Sequence, residues 1–429
     1  MWHAVAVCVG TVIGAGIFRS PAIVAGHVES DAVMLLAWAF GGALSLAGAL
    51  CFAEMAAAFP DQGGDYHFLR RAFGARAGFL FAWSRFAVIH TGSIAMLGFV
   101  LGDYFAPFLG LPPGASPVVA AVAITALAAL NLAGLRFGIG TQVGLMLVVL
   151  GGLVAVFVSG LAIASTGRPP LQPVLSAGSG PASLGTALVF VFLAYGGWSD
   201  AATLSAEMKD ARRGIARALV AGMTMVTALY LAANWAYLRG LGRGGVAESN
   251  APASDLALVA FGPWAQAAMV GIVAVTAVTS INAILIAGSR TTYAAARDLG
   301  GLGRLAHWHD DRGTPAQALV AMTVVALALV VLGAWTRSGF ATIVDYLSPV
   351  YWIFLTMSGA AVMVLRRRFP AVERPFRVPL YPVLPVVFMA TSAYMVWASL
   401  AFVKAGALAG LGVLAAGLLL MAWLERRRR

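Results

Sequence analysis

Charge is scarce in this sequence. Asp, Glu, Lys and Arg make up 10% of its 429 residues and hydrophobic residues 61%, where a typical soluble domain carries about 25% charged residues. An ordinary water-soluble domain is excluded, and a polytopic membrane protein is expected. Cysteine is scarce too. Cys8 and Cys51 both lie in apolar segments, so neither a disulfide framework nor a metal site is indicated, and buried inert thiols are expected. The signatures HExxH, GxSxG and the Walker-type phosphate loop are missing, which counts against a membrane protease, an esterase and an ATP-driven pump. No signal peptide is indicated: Met1-Trp2-His3 puts no Lys or Arg ahead of the first apolar run, so that run is expected to remain as a span. Only His307, His309, Asp310 and Asp311 have a metal-like composition; they lie together in a polar loop with no second cluster and read as solvated.

What the chain does have is a series of long apolar segments. Taking about 20 residues as one span, the pattern predicts twelve helices, near 3–26, 32–58, 77–106, 116–135, 140–163, 184–206, 215–238, 264–293, 315–334, 340–365, 380–402 and 405–424. The net charge of +11 suits topology better than nucleic acid, because the arginines recur in short runs between spans instead of lining one face. They gather in alternate loops, at 70–76, 136, 209–217, 297–312 and 366–377 and in the tail Arg426 to Arg429. The opposite loops hold only Arg168, Arg239, Arg243, Arg337 and Lys404. The positive-inside rule then expects both termini to be cytoplasmic, in a cytoplasmic-membrane protein. In the first basic loop, Tyr66 to Phe73 sorts aromatic and basic residues to different sides, as a short interfacial helix does.

Two apolar segments are interrupted where a span tolerates it least. Gly10 to Pro21 reads GTVIGAGIFRSP, with Gly14-Ala15-Gly16 at its centre; Phe192 to Ser199 reads FLAYGGWS, with Gly196-Gly197. Glycines weaken a helix and leave peptide groups that the bilayer cannot solvate. Two readings of the first interruption stand side by side: a polar ligand completes the open backbone, or Gly10 and Gly14 form a GxxxG face against another helix. A matching interruption half a chain further on favours a transporter site built between repeats.

Four stretches carry a family resemblance: VIGAGIFRSP at 12–21, FAEMAAAFPDQGGDYHFLRRAFG at 52–74, FLAYGGWSDAATLSAEMKDARRGIARAL at 192–219 and SINAILIAGSRTTYAAARDLG at 280–300. On these the chain resembles amino acid permeases of the amino acid, polyamine and organocation (APC) superfamily, most nearly the L-type amino acid transporter branch and its bacterial relatives. The resemblance implies an all-α fold of the leucine-transporter type, with twelve spans, two inverted five-helix repeats at 1–163 and 184–366, an extracellular linker at 164–183, a cytoplasmic linker at 367–379 and an appended helix pair with a basic tail at 380–429. Helices one and six are expected to be unwound. It further implies that Gly14, Ala15 and Gly16 offer N–H groups to a substrate carboxylate, while Ile13 and the carbonyls of Leu193, Ala194 and Gly196 receive its ammonium. Leu193 and Tyr195 would border a side-chain pocket, and Trp198 would pack beside the break.

The implied activity is secondary transport or exchange of small or medium neutral amino acids by alternating access, without a cofactor or metal. Polyamine or cationic amino acid transport is the nearest alternative, and a membrane-embedded enzyme or a channel the rivals outside the class. The expected partners are the amino acid and the lipid bilayer, without nucleic acid; a partner subunit is left unspecified. Many family members carry a helix-five lysine in place of a sodium ion, but no Lys or Arg lies between residues 137 and 167. Two coupling devices stand open: sodium held by Gly10, Ile13, Thr279 and Ser280, whose hydroxyls equally suit back-bonding to their own helix, or a proton on Asp200, which equally suits a wet vestibule. Glu54 and Glu207 are expected to pair with arginines such as Arg85 or Arg290 in an inward gate.

Overall fold

The computed structural model describes residues 2–60, 64–112, 114–134, 139–167, 181–199, 211–299, 305–308, 314–336, 338–402 and 404–428. Sixteen α-helices account for nearly all of them: α1 (Trp2–Val12), α2 (Ser20–Gly26), α3 (Asp31–Ala58), α4 (Gly64–Phe73), α5 (Ala75–Ser84), α6 (Thr91–Phe108), α7 (Ser116–Leu132), α8 (Ile139–Ser165), α9 (Pro181–Ala194), α10 (Ala211–Glu248), α11 (Pro252–Phe261), α12 (Pro263–Leu299), α13 (Ala316–Ala334), α14 (Gly339–Arg368), α15 (Val383–Phe402) and α16 (Lys404–Arg428). Among the described residues nine helices, with α5 to α6 taken as one rod, are long and apolar enough to cross a bilayer. Their outer faces carry bare apolar side chains, such as Leu36, Val324 and Leu419, as a lipid-facing surface requires.

Local chemistry sets several boundaries. The Ser30 hydroxyl caps α3 by accepting from the Val33 amide at 3.3 Å, with Asp31 in the first turn, which suits the positive end of a helix dipole. The interfacial segment forms α4, with Phe68, Leu69 and Ala72 buried and Arg70 and Arg71 in the last turn. Between α5 and α6 the rod widens into a π turn over Arg85–His90. The helix α11, ten residues long, is too short to register as a span.

The chain divides into two compact units, each drawing on segments from both halves of the sequence. The first takes residues 1–78, 153–261 and 351–402. Its centre is aromatic: Trp38 of α3 meets Tyr230 of α10 edge-on at 5.7 Å, and the Tyr195 ring lies 4.9 Å from Tyr230. Phe52 of α3 packs edge-on against Trp198 at 5.0 Å. The second unit takes residues 79–152, 262–350 and 403–429. Within it α6 and α7 touch through backbone, since a Cβ at Gly102 would lie 2.3 Å from the Ser116 carbonyl oxygen; small residues permit such approach between apolar helices. The same unit buries an amide pair, the Asn131 side chain of α7 donating to Asn282 Oδ1 of α12 at 2.6 Å and to its own Leu127 carbonyl at 2.8 Å.

Replacing Asn131 by Leu strands a buried Asn282 amide, so N131L is expected to lower stability by about 1–3 kcal/mol, read as a fall in melting temperature in detergent. The double variant N131L/N282L should lose less than the sum of the two single changes, because the second change removes the stranded group.

Candidate functional site

The first predicted span is divided into three pieces. Helix α1 ends at Val12, and Ile13 N still reaches Val9 O at 2.9 Å. Gly14 is extended, with φ −110° and ψ −180°, and Ala15–Phe18 form a single 3-10 turn closed by Arg19 N on Gly16 O at 3.0 Å. Helix α2 then restarts with Pro21 in its first turn, where a missing N–H costs nothing. Arg19 holds the restart in place, its guanidinium donating to Ser249 O at 3.2 Å and to Asn250 Oδ1 at 2.7 Å.

The second interruption falls at the end of α9. Ala194 is its last residue, and a turn follows in which Gly196 N reaches Leu193 O at 3.0 Å. Gly197 has φ +102°, a conformation open to glycine and strained for other residues. Its Cα hydrogen also stands where a Cβ would come 2.2 Å from the Thr11 carbonyl oxygen and 3.4 Å from Val12 Cα. Both interruptions lie in the first unit and touch there.

Polar groups are left open on one side. Among the described residues the amides of Gly14, Ala15 and Gly16 donate to no acceptor, and a Cβ built on Gly14 or Gly16 would meet no atom within 4 Å. At the second interruption, Leu193 O accepts once from Gly196 N, and Ala194 O accepts from the Tyr230 hydroxyl at 3.1 Å. A carbonyl oxygen has two lone pairs, so each keeps one for a further donor.

The other sequence-predicted residues fall as follows. Leu193 is half-buried beside the turn. The Tyr195 side chain is fully buried inside the unit, its hydroxyl donating to Trp38 O at 3.0 Å, so only its main chain remains at the interruption. Trp198 packs beside the break against Phe52 and Phe388, at 5.0 and 5.9 Å. Gly10 is helical on α1. Thr279 and Ser280 lie on α12 in the second unit, and the Thr279 hydroxyl donates to Val275 O at 2.8 Å and Thr276 O at 3.0 Å of its own helix. Asp200, Glu207, His309, Asp310 and Asp311 lie outside the described residues. Among the described residues no three His, Cys, Asp or Glu side chains are placed to share a metal ion.

The expected pairing of Glu54 is corrected. Its carboxylate, 2% exposed, accepts from Arg366 in a two-pronged contact, Nε to Oε1 at 2.6 Å and Nη2 to Oε2. It also accepts from the Val378 amide at 2.7 Å and lies 3.5 Å from Arg374 Nε. These partners saturate the carboxylate inside the first unit, leaving nothing for Arg85 or Arg290. Arg85 instead directs Nε and Nη2 at His90 Nε2, 3.0 and 2.9 Å away across the π turn, and Arg290 is exposed on α12.

Sequence reasoning missed Tyr230, whose hydroxyl stands 3.3 Å from Val12 O and 3.1 Å from Ala194 O. Its signal was a phenol, one of two with Tyr237, in the largely apolar seventh predicted span. Tyr351 was missed as well; its hydroxyl oxygen lies 3.5 Å from where a Cβ on Gly196 would stand.

Comparison with known proteins bears on this geometry. A family model described as amino acid permease matches residues 1–421. The chain is 28% identical over 401 residues to the serine/threonine exchanger SteT of Bacillus subtilis, covering 92% of this chain and 90% of that one. It is 29% identical over 409 residues to the human b(0,+)-type amino acid transporter 1, covering 92% and 80%. It is also 29% identical over 405 residues to the human cystine/glutamate transporter, covering 92% and 79%.

Gly197→Ala adds strain and a backbone clash at once, so it is expected to cost at least about 1–3 kcal/mol, measured as lost monodisperse yield and a lower melting temperature. Glu54→Gln should cost about 3 kcal/mol or more, because two arginines would then stay partly buried without their carboxylate; thermal melting in detergent checks it.

Proposed function

Because the chain belongs to the amino acid permease family, whose members here are transporters and not enzymes, we propose that it is a secondary transporter moving amino acids by alternating access, with the two interruptions as its substrate site. The proposal includes twelve spans in the cytoplasmic membrane, inverted repeats at 1–163 and 184–366, the linkers 164–183 and 367–379, an appended pair at 380–429 and both termini in the cytoplasm.

One observation carries this reading. Three consecutive amides in a segment of a membrane span, on Gly14, Ala15 and Gly16, donate to no acceptor among the described residues, and a Cβ on Gly14 or Gly16 would meet no atom within 4 Å. Leaving such groups unpaired in an apolar surrounding costs roughly 2–7 kcal/mol each. A carboxylate would satisfy them with charge-assisted hydrogen bonds. The spare lone pairs on Leu193 O and Ala194 O suit the ammonium of the same zwitterion, with Ile13 and Gly196 contributing main-chain carbonyls. A fixed side-chain charge at that depth would cost more than main-chain dipoles do. Selectivity then falls to the walls, to which Leu193 and Trp198 are assigned; neither is ionisable, in keeping with small or medium neutral substrates.

For coupling, sodium and a proton on Asp200 are the two candidates. Residues 137–167 supply no cation in place of the sodium. Glu54 and Arg366 tie the ends of α3 and α14 together, and a gating role for Glu207, Arg85 and Arg290 belongs to the same proposal.

The test is counterflow in proteoliposomes loaded with one amino acid and challenged with a labelled set of the twenty, with and without sodium and at two pH values. Exchange of one or more neutral amino acids is expected; no flux and no binding of any amino acid overturns the proposal. Gly16→Ala adds a Cβ that would meet no atom within 4 Å, so it should fold normally and lose substrate binding by about tenfold, on the order of one charge-assisted hydrogen bond.

A further inference from the structure

We propose that the turn 379–383, where the linker after α14 enters α15, is a membrane-interface anchor: Leu380 inserts among lipid acyl chains while Arg367 and Arg377 hold the headgroup of an anionic phospholipid. The proposal goes beyond the transport reading and needs only that the chain spans a bilayer.

The turn presents an unbroken apolar run to its surroundings. Pro379, Leu380, Tyr381, Pro382 and Val383 are all exposed, Leu380 to 74%; so long an exposed run is a fault in water unless something covers it. Leu380 also has φ +51°, the one residue other than glycine with a positive value among the described residues. That conformation strains any residue with a Cβ, and such strain persists only where the surroundings impose it. Here they grip the chain on both sides. Val378 N donates to Glu54 Oε2 at 2.7 Å, the Tyr381 ring centroid lies 3.7 Å from the Arg366 guanidinium, and Leu380 O accepts from Leu384 N at 3.3 Å. Leu380 is thereby held outward, and the exposed apolar surface continues along α15 through Val383, Val386 and Val387.

Charge and depth identify the occupant. Of the five arginines between 366 and 377, three are engaged inside the first unit: Arg366 and Arg374 meet Glu54, and Arg368 donates to Ala72 O at 3.0 Å. Arg367 and Arg377 are exposed, with no partner among the described residues. Glu373 is the one acid exposed on that stretch, so its outward face keeps a positive sign. From Val383 onward α15 is apolar enough to cross a bilayer, which puts Leu380 within one helical turn of the hydrocarbon, at the level of the headgroups. An apolar side chain flanked by guanidiniums at that level suits an anionic leaflet, with the arginine stems lying along apolar surface and their heads on phosphate.

The test uses the full chain in phosphatidylcholine nanodiscs, with Cys8 and Cys51 replaced by alanine and one introduced cysteine carrying an NBD fluorophore. On L380C the label should be quenched by phosphatidylcholine spin-labelled high on its acyl chain and shielded from aqueous iodide; on A371C, in the same linker, the reverse. Spin-labelled phosphatidylglycerol should quench the 380 label at a lower mole fraction than spin-labelled phosphatidylcholine. R377Q and R367Q should each shrink that preference about fivefold, the worth of one arginine at an anionic surface, and E373Q should not shrink it. If L380C does not fold, the label moves to Val383 as V383C, where the same preference and its loss in R377Q are read. The proposal is overturned if iodide quenches position 380 as strongly as 371, or if both kinds of quencher are kept out, as a covering protein or a second copy would do. It is overturned equally if the two lipids quench alike or if neither arginine substitution reduces the preference. A chain that exchanges no amino acid would overturn the transport reading and leave this outcome as it stands.

Discussion

Everything in this chain answers to one constraint: a peptide group surrounded by hydrocarbon must find its hydrogen-bond partner inside the protein. Long helices meet it by themselves, which is why apolar helices dominate the described residues. Side-chain hydroxyls on the spans meet it by bonding one turn back, as Thr276 and Ser348 do on their own helices. The two interruptions are where the rule is broken, and the surroundings repair it on one side only. Tyr230 caps two helix ends, Gly197 lets one chain lie against the other, and Arg19 anchors the restart. On the other side the amides of Gly14, Ala15 and Gly16 donate to no acceptor among the described residues.

The same constraint explains what was legible in the sequence. The places where helices fail were readable, since Gly14-Ala15-Gly16 and Gly196-Gly197 weaken a helix locally whatever surrounds them. Helix extents were readable from apolar run length, as at α3, α7, α8 and α13, and the amphipathic pattern of 66–73 was enough to expect α4. The repairs were not readable. Tyr230 acts on residues far away in sequence at Val12 and Ala194, and no periodicity records such a contact. Glu54 illustrates the limit: its depth and sign called for a guanidinium, but the choice of Arg366, 312 residues away, depends on packing. The helix α11 escaped because its ten residues, Ser254 and Asp255 among them, are too short a run to read as a span.

Charge is handled with the same economy. Arg366, Arg367 and Arg368 are consecutive, yet they point to different tasks. Arg366 reaches inward to Glu54 and lies 3.7 Å from the Tyr381 ring centroid. Arg368 donates to Ala72 O at 3.0 Å at the end of α4, where a cation meets the negative end of the helix dipole. Arg367 is exposed. Arg71 sits between the rings of Phe59 and Phe369, at 4.6 and 4.8 Å, so part of a loop that reads in sequence as merely basic is built as an aromatic-guanidinium stack.

The π turn from Arg85 to His90 alters how the long rod through α5 and α6 is to be counted. One extra residue in a helical turn advances everything beyond it by about 100°. The apolar stripes before and after His90 thus run on two separate clocks, and a helical wheel drawn straight through 75–108 assigns half its positions to the wrong face. Trimming a single residue from that turn would rewind the rod, leaving composition almost untouched while rotating α6 away from α7, so that Gly102 no longer met Ser116.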